Sequence, residues 1–278
     1  MYTIREIIKQ GTEKLKQTQD KPILMSRLIL QFVLKKDKEY LIAHDNEEIN
    51  LGDYNKFIEC INRLNEGTPL QYITNSQEFM KLNFYVDENV LVPQPDTEIL
   101  VENVLELIKG KKVKVLDLCT GSGAIGISIA KYSENAKVAG TDISKEALKI
   151  ANINSKNNNV NVEFILSDMF ENLENIKFDI IVSNPPYIKT AEIDKLSNEV
   201  KSEPHLALDG GKDGLDFYKI IINDGYKYLN ENGYICLEIG YDQKDEVFDL
   251  ITESERYTDI KCYKDLGGND RVIIMKKS

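Results

Sequence analysis

Tryptophan is absent from this chain of 278 residues, and histidine occurs only twice, at His44 and His205. So little imidazole leaves scant material for a metal site. Cysteine is scarce as well: Cys60, Cys119, Cys236 and Cys262 lie far apart, with no C-x-x-C pair. That spacing argues against zinc, and a chain of this size does not call for a disulfide framework. No metal is expected. No apolar run reaches the length of a membrane span. The opening MYTIREIIKQ alternates apolar with charged residues and lacks a signal-peptide core, so a cytoplasmic location is expected. Basic residues are the minority, 35 Lys and Arg against 46 Asp and Glu, for a formal charge of −11. Grip on a phosphate backbone needs the reverse balance, so no direct binding of nucleic acid is expected.

What is present is an ordinary globular composition, 42% hydrophobic and 29% charged, in a length suited to one large or two ordinary domains. Residues 1–75 read as a helical domain. Ile4, Ile7, Ile8 and Leu15 share one apolar face, Ile23, Leu24, Leu28, Ile29 and Phe32 a second, and Tyr54, Phe57, Ile58, Ile61 and Leu64 a third. Such a domain is either an appendage or a module that docks a partner. Residues 76–96 change texture. LNFYV, then DEN, then VLVPQP reads as a β-hairpin followed by a proline-rich bridge. A helix carrying Ile99, Leu100, Val104 and Leu107 follows, with Asp96 or Thr97 as its cap. From there to residue 278 strands and helices alternate. KVKVLDL, KVAGTDI, VEFILSD and FDIIVSN are continuous apolar runs suited to parallel strands buried on both faces. GYICLEI, TDIKCY and RVIIMK complete a doubly wound, Rossmann-like α/β sheet with one antiparallel strand at its end.

Chemistry gathers at the ends of these strands. DLCTGSGAIGIS places Gly121, Gly123 and Gly126 as G-x-G-x-x-G between a strand and a helix, where backbone can approach a ligand closely. Asp142 ends the second strand 21 residues beyond Gly121, the place of a ribose-binding acid. NAD and S-adenosylmethionine both carry that ribose, so Asp142 does not separate them. Asp117, just before the loop, would repel a pyrophosphate and suits a ligand with an ammonium and a sulfonium. Asp168 is placed for an adenine amine, with Met169 available to pack against the ring. Three acids at successive strand ends favour a nucleoside ligand. The fourth strand ends in Asn184, Pro185, Pro186 and Tyr187. The prolines stop the strand and stiffen a turn that carries an amide, bare carbonyls and an aromatic ring.

This set of motifs resembles the amino methyltransferases that use S-adenosylmethionine, in which an NPPY turn serves planar nitrogens. With PQPDTE, EVKSEPHLALDGGKDGLDFY, LEIGYDQ and GGNDRV added, and a helical domain ahead, the whole chain resembles the release-factor glutamine methyltransferases, the HemK or PrmC family. The resemblance implies a class I methyltransferase domain over residues 97–278, and the order of docking-type helices before a complete catalytic domain gives residues 1–75, with the bridge, an expected role in gripping the substrate. It implies a reaction at N5 of the glutamine in the Gly-Gly-Gln motif of class-1 peptide chain release factors. Cys119, Thr120, Gly121, Ser122, Gly123, Asp142, Met169 and Asn184 would then bind cofactor. Asn184 and the Pro185 carbonyl would accept hydrogen bonds from the target NH2, with Pro186 and Tyr187 completing the glutamine site. Two positions depart from the family: Gln94 where arginine is usual, and Cys119 where glycine is common.

Other readings share parts of this pattern. A glutamine methyltransferase acting on a ribosomal protein would share most of the chain. An N6-adenine methyltransferase would share Asp117 to Tyr187, but the acidic balance and the flanking segments oppose it. A dehydrogenase explains neither NPPY nor Asp117. ALDGGKDG reads as a mobile loop over the site or as a turn before the next helix, with the loop favoured.

Overall fold

The computed structural model describes residues 2–173 and 176–278. The described chain divides into two compact units. One runs to Asn75 and also takes in Ser197–Ser202; the other comprises Ser76–Leu196 and Glu203–Ser278.

The first unit is helical: α1 (Ile4–Leu15), α2 (Pro22–Leu34), α3 (Lys38–Ala43), α4 (Leu51–Asn65) and α5 (Leu70–Thr74). A capping box starts α1. The Thr3 hydroxyl accepts from the Glu6 N–H at 3.3 Å and the Glu6 carboxylate accepts from the Thr3 N–H at 2.9 Å. Asn50 caps α4 through the Asp53 N–H. Helix α1 buries Ile4, Ile7 and Leu15, and α4 buries Phe57, Ile61 and Leu64, on the faces their spacing indicates. Helix α2 differs from its expected face: Ile23 and Leu24 are exposed, and Ser26, Ile29, Leu30 and Val33 point inward. PILMSRLILQFVL is apolar nearly all round, so its period selects no face, and close packing does instead. A Cβ on Gly11 would lie 2.5 Å from Ser26 Oγ and 2.6 Å from the Phe57 ring, so only glycine allows α1 this approach. The buried Ser26 hydroxyl is satisfied by the Ile8 carbonyl at 3.0 Å. Ser197–Ser202 joins this unit through Gln19 to Glu199 at 3.1 Å and Ser202 to the Gly67 carbonyl at 3.2 Å.

The second unit opens with a hairpin of β1 (Gln77–Phe79) and β2 (Leu82–Phe84). Its turn is at Met80 and Lys81, both at positive φ, and not at the DEN of residues 87–89. Two-residue hairpin turns need positive φ, normally supplied by Asn or Gly, so Met-Lys gives no sequence signal. Helix α6 (Pro95–Leu107) begins at its proline. Gln94 is its N-cap without a side-chain bond, so neither Asp96 nor Thr97 caps it, and Thr97 is free for other work.

The main sheet has seven strands: β3 (Val113–Leu118), β4 (Ala136–Asp142), β5 (Val162–Leu166), β6 (Phe178–Ser183), β7 (Leu229–Glu238), β8 (Tyr257–Lys264) and β9 (Asp270–Lys277). Their order is β8-β9-β7-β6-β3-β4-β5. All neighbours pair in parallel except at β9, which is antiparallel to both β7 and β8. The one reversed strand is last in sequence yet second from the edge in space. Helices α7 (Ala124–Tyr132) and α8 (Lys145–Asn157) serve one half of the sheet, and α9 (Asp216–Gly225) and α10 (Lys244–Ser254) the other. Right-handed crossovers put these pairs on opposite faces, because the strand order runs outward both ways from β3 and β6. That reversal opens a crevice at the carboxyl ends of β3 and β6, where such folds bind ligands. Among the described residues no helix is long and apolar enough to cross a membrane.

Candidate active site

Strands β3 and β6 end side by side, with Leu118 opposite Ser183. The Ser183 hydroxyl donates to the Leu118 carbonyl at 2.6 Å, clamping the glycine loop's root to that of the NPPY turn. Above them lies a cavity of about 370 Å3, a size suited to a nucleoside-bearing ligand. Cys119, Thr120, Gly121, Ser122, Asp142, Asp168, Met169, Asn184 and Pro186 all line it. Asp117, Gly123, Pro185 and Tyr187 are not among the residues that line it.

Asp117 is fully buried beneath the loop, where its Oδ2 accepts from the Thr120 hydroxyl at 2.5 Å and the Gly126 N–H at 2.9 Å. A Cβ on Gly126 would press within 3.0 Å of that oxygen, so the third glycine of the motif makes room for the acid. Burial pushes Asp117 up to about 7, against those two hydrogen bonds, and its Oδ1 has no partner among the described residues. Asp117 therefore holds the loop and leaves one buried acceptor beside it. Asp142 works from the cavity wall. Its carboxylate accepts from the Gly121 N–H and the Ser144 N–H, each at 2.8 Å, and burial raises its pKa. The Ile143 N–H faces the same carboxylate, which still keeps acceptor capacity for a ligand hydroxyl. Cys119 takes a left-handed backbone, φ +60°, with its sulfur 3.8 Å from that of Met169. Burial raises its thiol pKa, so Cys119 is a poor nucleophile.

The polar half of the site is the turn after β6. Asn184 reaches the cavity while its Nδ2 donates to Thr97 Oγ1 at 3.2 Å. That leaves its carbonyl oxygen as an unused acceptor. Tyr187 lies behind, its hydroxyl facing the buried Glu238, and burial raises its pKa. The Tyr187 carbonyl accepts from Gln243 Nε2 at 3.0 Å, and the same amide nitrogen reaches the Gly214 carbonyl at 3.1 Å. The ALDGGKDG segment is bound to this turn and is not a free flap. Ile188 N–H donates to the Leu208 carbonyl and Gly210 N–H to the Ile188 carbonyl. A Cβ on Gly210 would stand 2.7 Å from Tyr187 Cα, so glycine permits the contact. Just before it, Leu206 and Ala207 line the cavity.

Several supporting residues escape sequence reasoning. Asn154, fully buried on α8, donates to the Ser122 and Tyr85 carbonyls, each at 2.9 Å, and accepts from the Tyr85 N–H at 2.7 Å. It sits among other asparagines in NINSKNNN, so nothing marks it out. Glu203 accepts from the Val92 N–H at 2.9 Å, and Glu238 stands behind Asn184. Gln94, at the family's usual arginine, donates to the Val92 carbonyl at 3.0 Å.

An S-adenosylmethionine molecule fits this donor set. Asp142 would accept from a ribose hydroxyl, Asp168 would accept from adenine, and Met169 and the loop backbone would wall the ligand in. Comparisons with known proteins agree. Residues 93–211 match the methyltransferase small domain family, and residues 6–74 match the PrmC N-terminal domain family. A methyltransferase from Pyrococcus furiosus superimposes with a TM-score of 0.55 at 22% identity, over 71% of this chain and 89% of that one. A 16S rRNA N2 G1207 methyltransferase from Thermus thermophilus gives 0.53 at 20% identity, over 73% of this chain and 50% of that one. These likenesses establish the fold alone. Sequence relatives go further. A release factor glutamine methyltransferase of Clostridium acetobutylicum is 42% identical over 98% of this chain and 97% of its own length. Another, of Thermodesulfovibrio yellowstonii, is 41% identical over 99% and 97%. At that identity over nearly the full length of both partners, the chain belongs to the release factor glutamine methyltransferase family.

Proposed function

We infer that this protein transfers a methyl group from S-adenosylmethionine to the side-chain amide nitrogen of the glutamine in the Gly-Gly-Gln motif of class-1 peptide chain release factors. The observation that carries the reading is Asn184, an amide at the cavity wall with its nitrogen engaged by Thr97 and its oxygen left to accept. A glutamine NH2 is the complementary donor. When bound, the cofactor supplies a methyl carbon on a positively charged sulfur: the new C–N bond forms as the C–S bond breaks, and the nitrogen releases one proton. An amide nitrogen is a weak nucleophile because its lone pair is delocalised into the carbonyl. The protein's part is therefore to place it. Asn184 and the Pro185 carbonyl accept its two N–H groups and aim the lone pair, while Tyr187 backs the turn that carries them. Asp142 and Asp168 hold the nucleoside end, and Met169 and Cys119 wall it in. Residues 1–75 dock the release factor, and the reaction belongs in the cytoplasm with translation termination.

The test is incubation of a purified, unmethylated release factor with this protein and methyl-labelled cofactor, beside a release factor whose Gly-Gly-Gln glutamine is changed to alanine. Label on the first alone is expected. Equal label on both would place the target elsewhere.

A further inference from the structure

Glu238, the last residue of β7, is only 2% exposed, and its Oε2 has no hydrogen-bond partner among the described residues. A carboxyl group in such a place needs a reason. The Thr97 hydroxyl and the Asn184 amide face it as hydrogen-bonding groups, and the Tyr187 hydroxyl faces it too. Asn184 Nδ2 also donates to Thr97 Oγ1.

The polarity of this cluster matters. An amide can present either its oxygen or its NH2 to the cavity, and the two choices have opposite consequences for a substrate NH2. Thr97 alone does not decide between them, because a hydroxyl both donates and accepts. An ionised carboxylate only accepts. Facing one, Thr97 must spend its single proton on Glu238 and offer a lone pair to Asn184, which must then turn its NH2 inward. We propose that Glu238 is the positioning residue that sets this polarity, holding the Asn184 oxygen toward the cavity and so selecting a target that bears an NH2. The proposal rests on the reading of Asn184 as the acceptor for the glutamine amide.

Such a lock is open to protons. Burial pushes Glu238 up to about 7, opposed by the Thr97 contact and by Arg271, with Asp96 acting in the same direction as burial. The charged and titratable groups around it are Arg271 of β9, Asp96 of α6, Tyr187 of the turn and Tyr218 of α9. Arg271 is held by Asp265 at 3.1 Å and lies 3.4 Å from Asp96. Below about pH 7 a protonated Glu238 donates, Thr97 is released to donate in turn, and Asn184 is free to flip. Turnover then falls with acid because two donors face each other.

The test compares wild type with Glu238→Gln, an isosteric change that leaves an amide of either polarity. Release-factor methylation is followed from acid to alkaline pH at saturating cofactor, with cofactor affinity measured by calorimetry. Wild type is expected to lose kcat on an acid limb centred at about 7. Glu238→Gln is expected to lack that limb and to run about 10- to 100-fold slower at alkaline pH, with cofactor Kd unchanged. A variant that kept both the limb and the wild-type kcat would overturn the proposal. Should Glu238→Gln not fold, as shown by lost cofactor binding, Thr97 decides. Thr97→Ser keeps the relay and is expected to work, whereas Thr97→Val is expected to fail, and equal rates for the two would overturn the idea. A wild-type protein that methylates no glutamine at any pH would sink the functional reading itself, and this proposal with it.

Discussion

The two units obey different rules. In the helical unit most local preferences agree: Thr3 and Asn50 cap their helices, the apolar stripes of α1 and α4 are buried, and the buried Ser26 is satisfied, with α2 the exception. In the catalytic unit they conflict. All four of the buried, unpartnered side-chain atoms among the described residues, on Asp117, Ser128, Thr141 and Glu238, belong to it. So do the three carboxyls that burial raises to about 7: Asp117, Glu203 and Glu238. Left-handed backbone at Cys119 and Met169 adds strain beside the cavity. Functional sites are where proteins break local rules, and this contrast is what the proposed function, with its chemistry in the second unit, expects.

The contrast can be broken by mutation, and the largest effect is expected on stability. Phe57 is wholly buried in the helical core, so Phe57→Ala should destabilise that unit by about 3–5 kcal/mol. Denaturation followed by hydrogen exchange should show the loss confined to the helices, with cofactor affinity intact; a parallel fall in affinity would mean the cavity depends on that core. Next comes Asn184→Ala, which removes the acceptor and should lower kcat by roughly 10²–10³-fold, a scale known for one preorganised hydrogen-bonding group. Cofactor binding by calorimetry should barely change, and an equal loss there would assign Asn184 to the cofactor instead.

A smaller effect concerns pH. The folded state holds the Glu203 proton up to about 7, above the ordinary value of 4.5, so folded protein binds more protons than unfolded in that window. Stability contributed by the protonated acid is thus lost as pH rises from about 4.5 to about 7. Glu203→Gln keeps an acceptor for the Val92 N–H and should stabilise the catalytic unit by about 1–3 kcal/mol above neutrality, and little in acid. Urea midpoints in acid and at alkaline pH would check it; the same shift in both would assign the gain to something other than titration. The smallest effect is at Cys119. Cys119→Gly relieves a left-handed side-chain clash but frees the unfolded chain, for a net gain of under about 1 kcal/mol. A thermal melt showing a loss would mean the sulfur's contact with Met169 outweighs the strain.

Much of this was readable from the chain because the physics is local. Strand runs such as FDIIV, the spacing of glycines 121, 123 and 126, and the proline stop after Asn184 each signal within a dozen residues. What stayed hidden depends on neighbours distant in sequence. The face of α2 is set by Gly11 and Phe57, and the hairpin turn by Met80 and Lys81 at unfavoured φ. Thr97 looked like a helix cap because Thr often is one; it faces Asn184, 87 residues on. Glu238 ends an apolar strand, and nothing in LEIG reveals that its side chain points into a polar cluster.

The central claim is methyl transfer to a glutamine amide. Its most direct test is site-resolved mass spectrometry of a mixture of unmethylated release factor, ribosomal proteins and adenine-containing nucleic acid, incubated with this protein and S-adenosylmethionine. One added methyl on the Gly-Gly-Gln glutamine, and none on ribosomal protein or adenine, is the predicted result. Methyl groups on either competitor, with that glutamine unmodified, would contradict it.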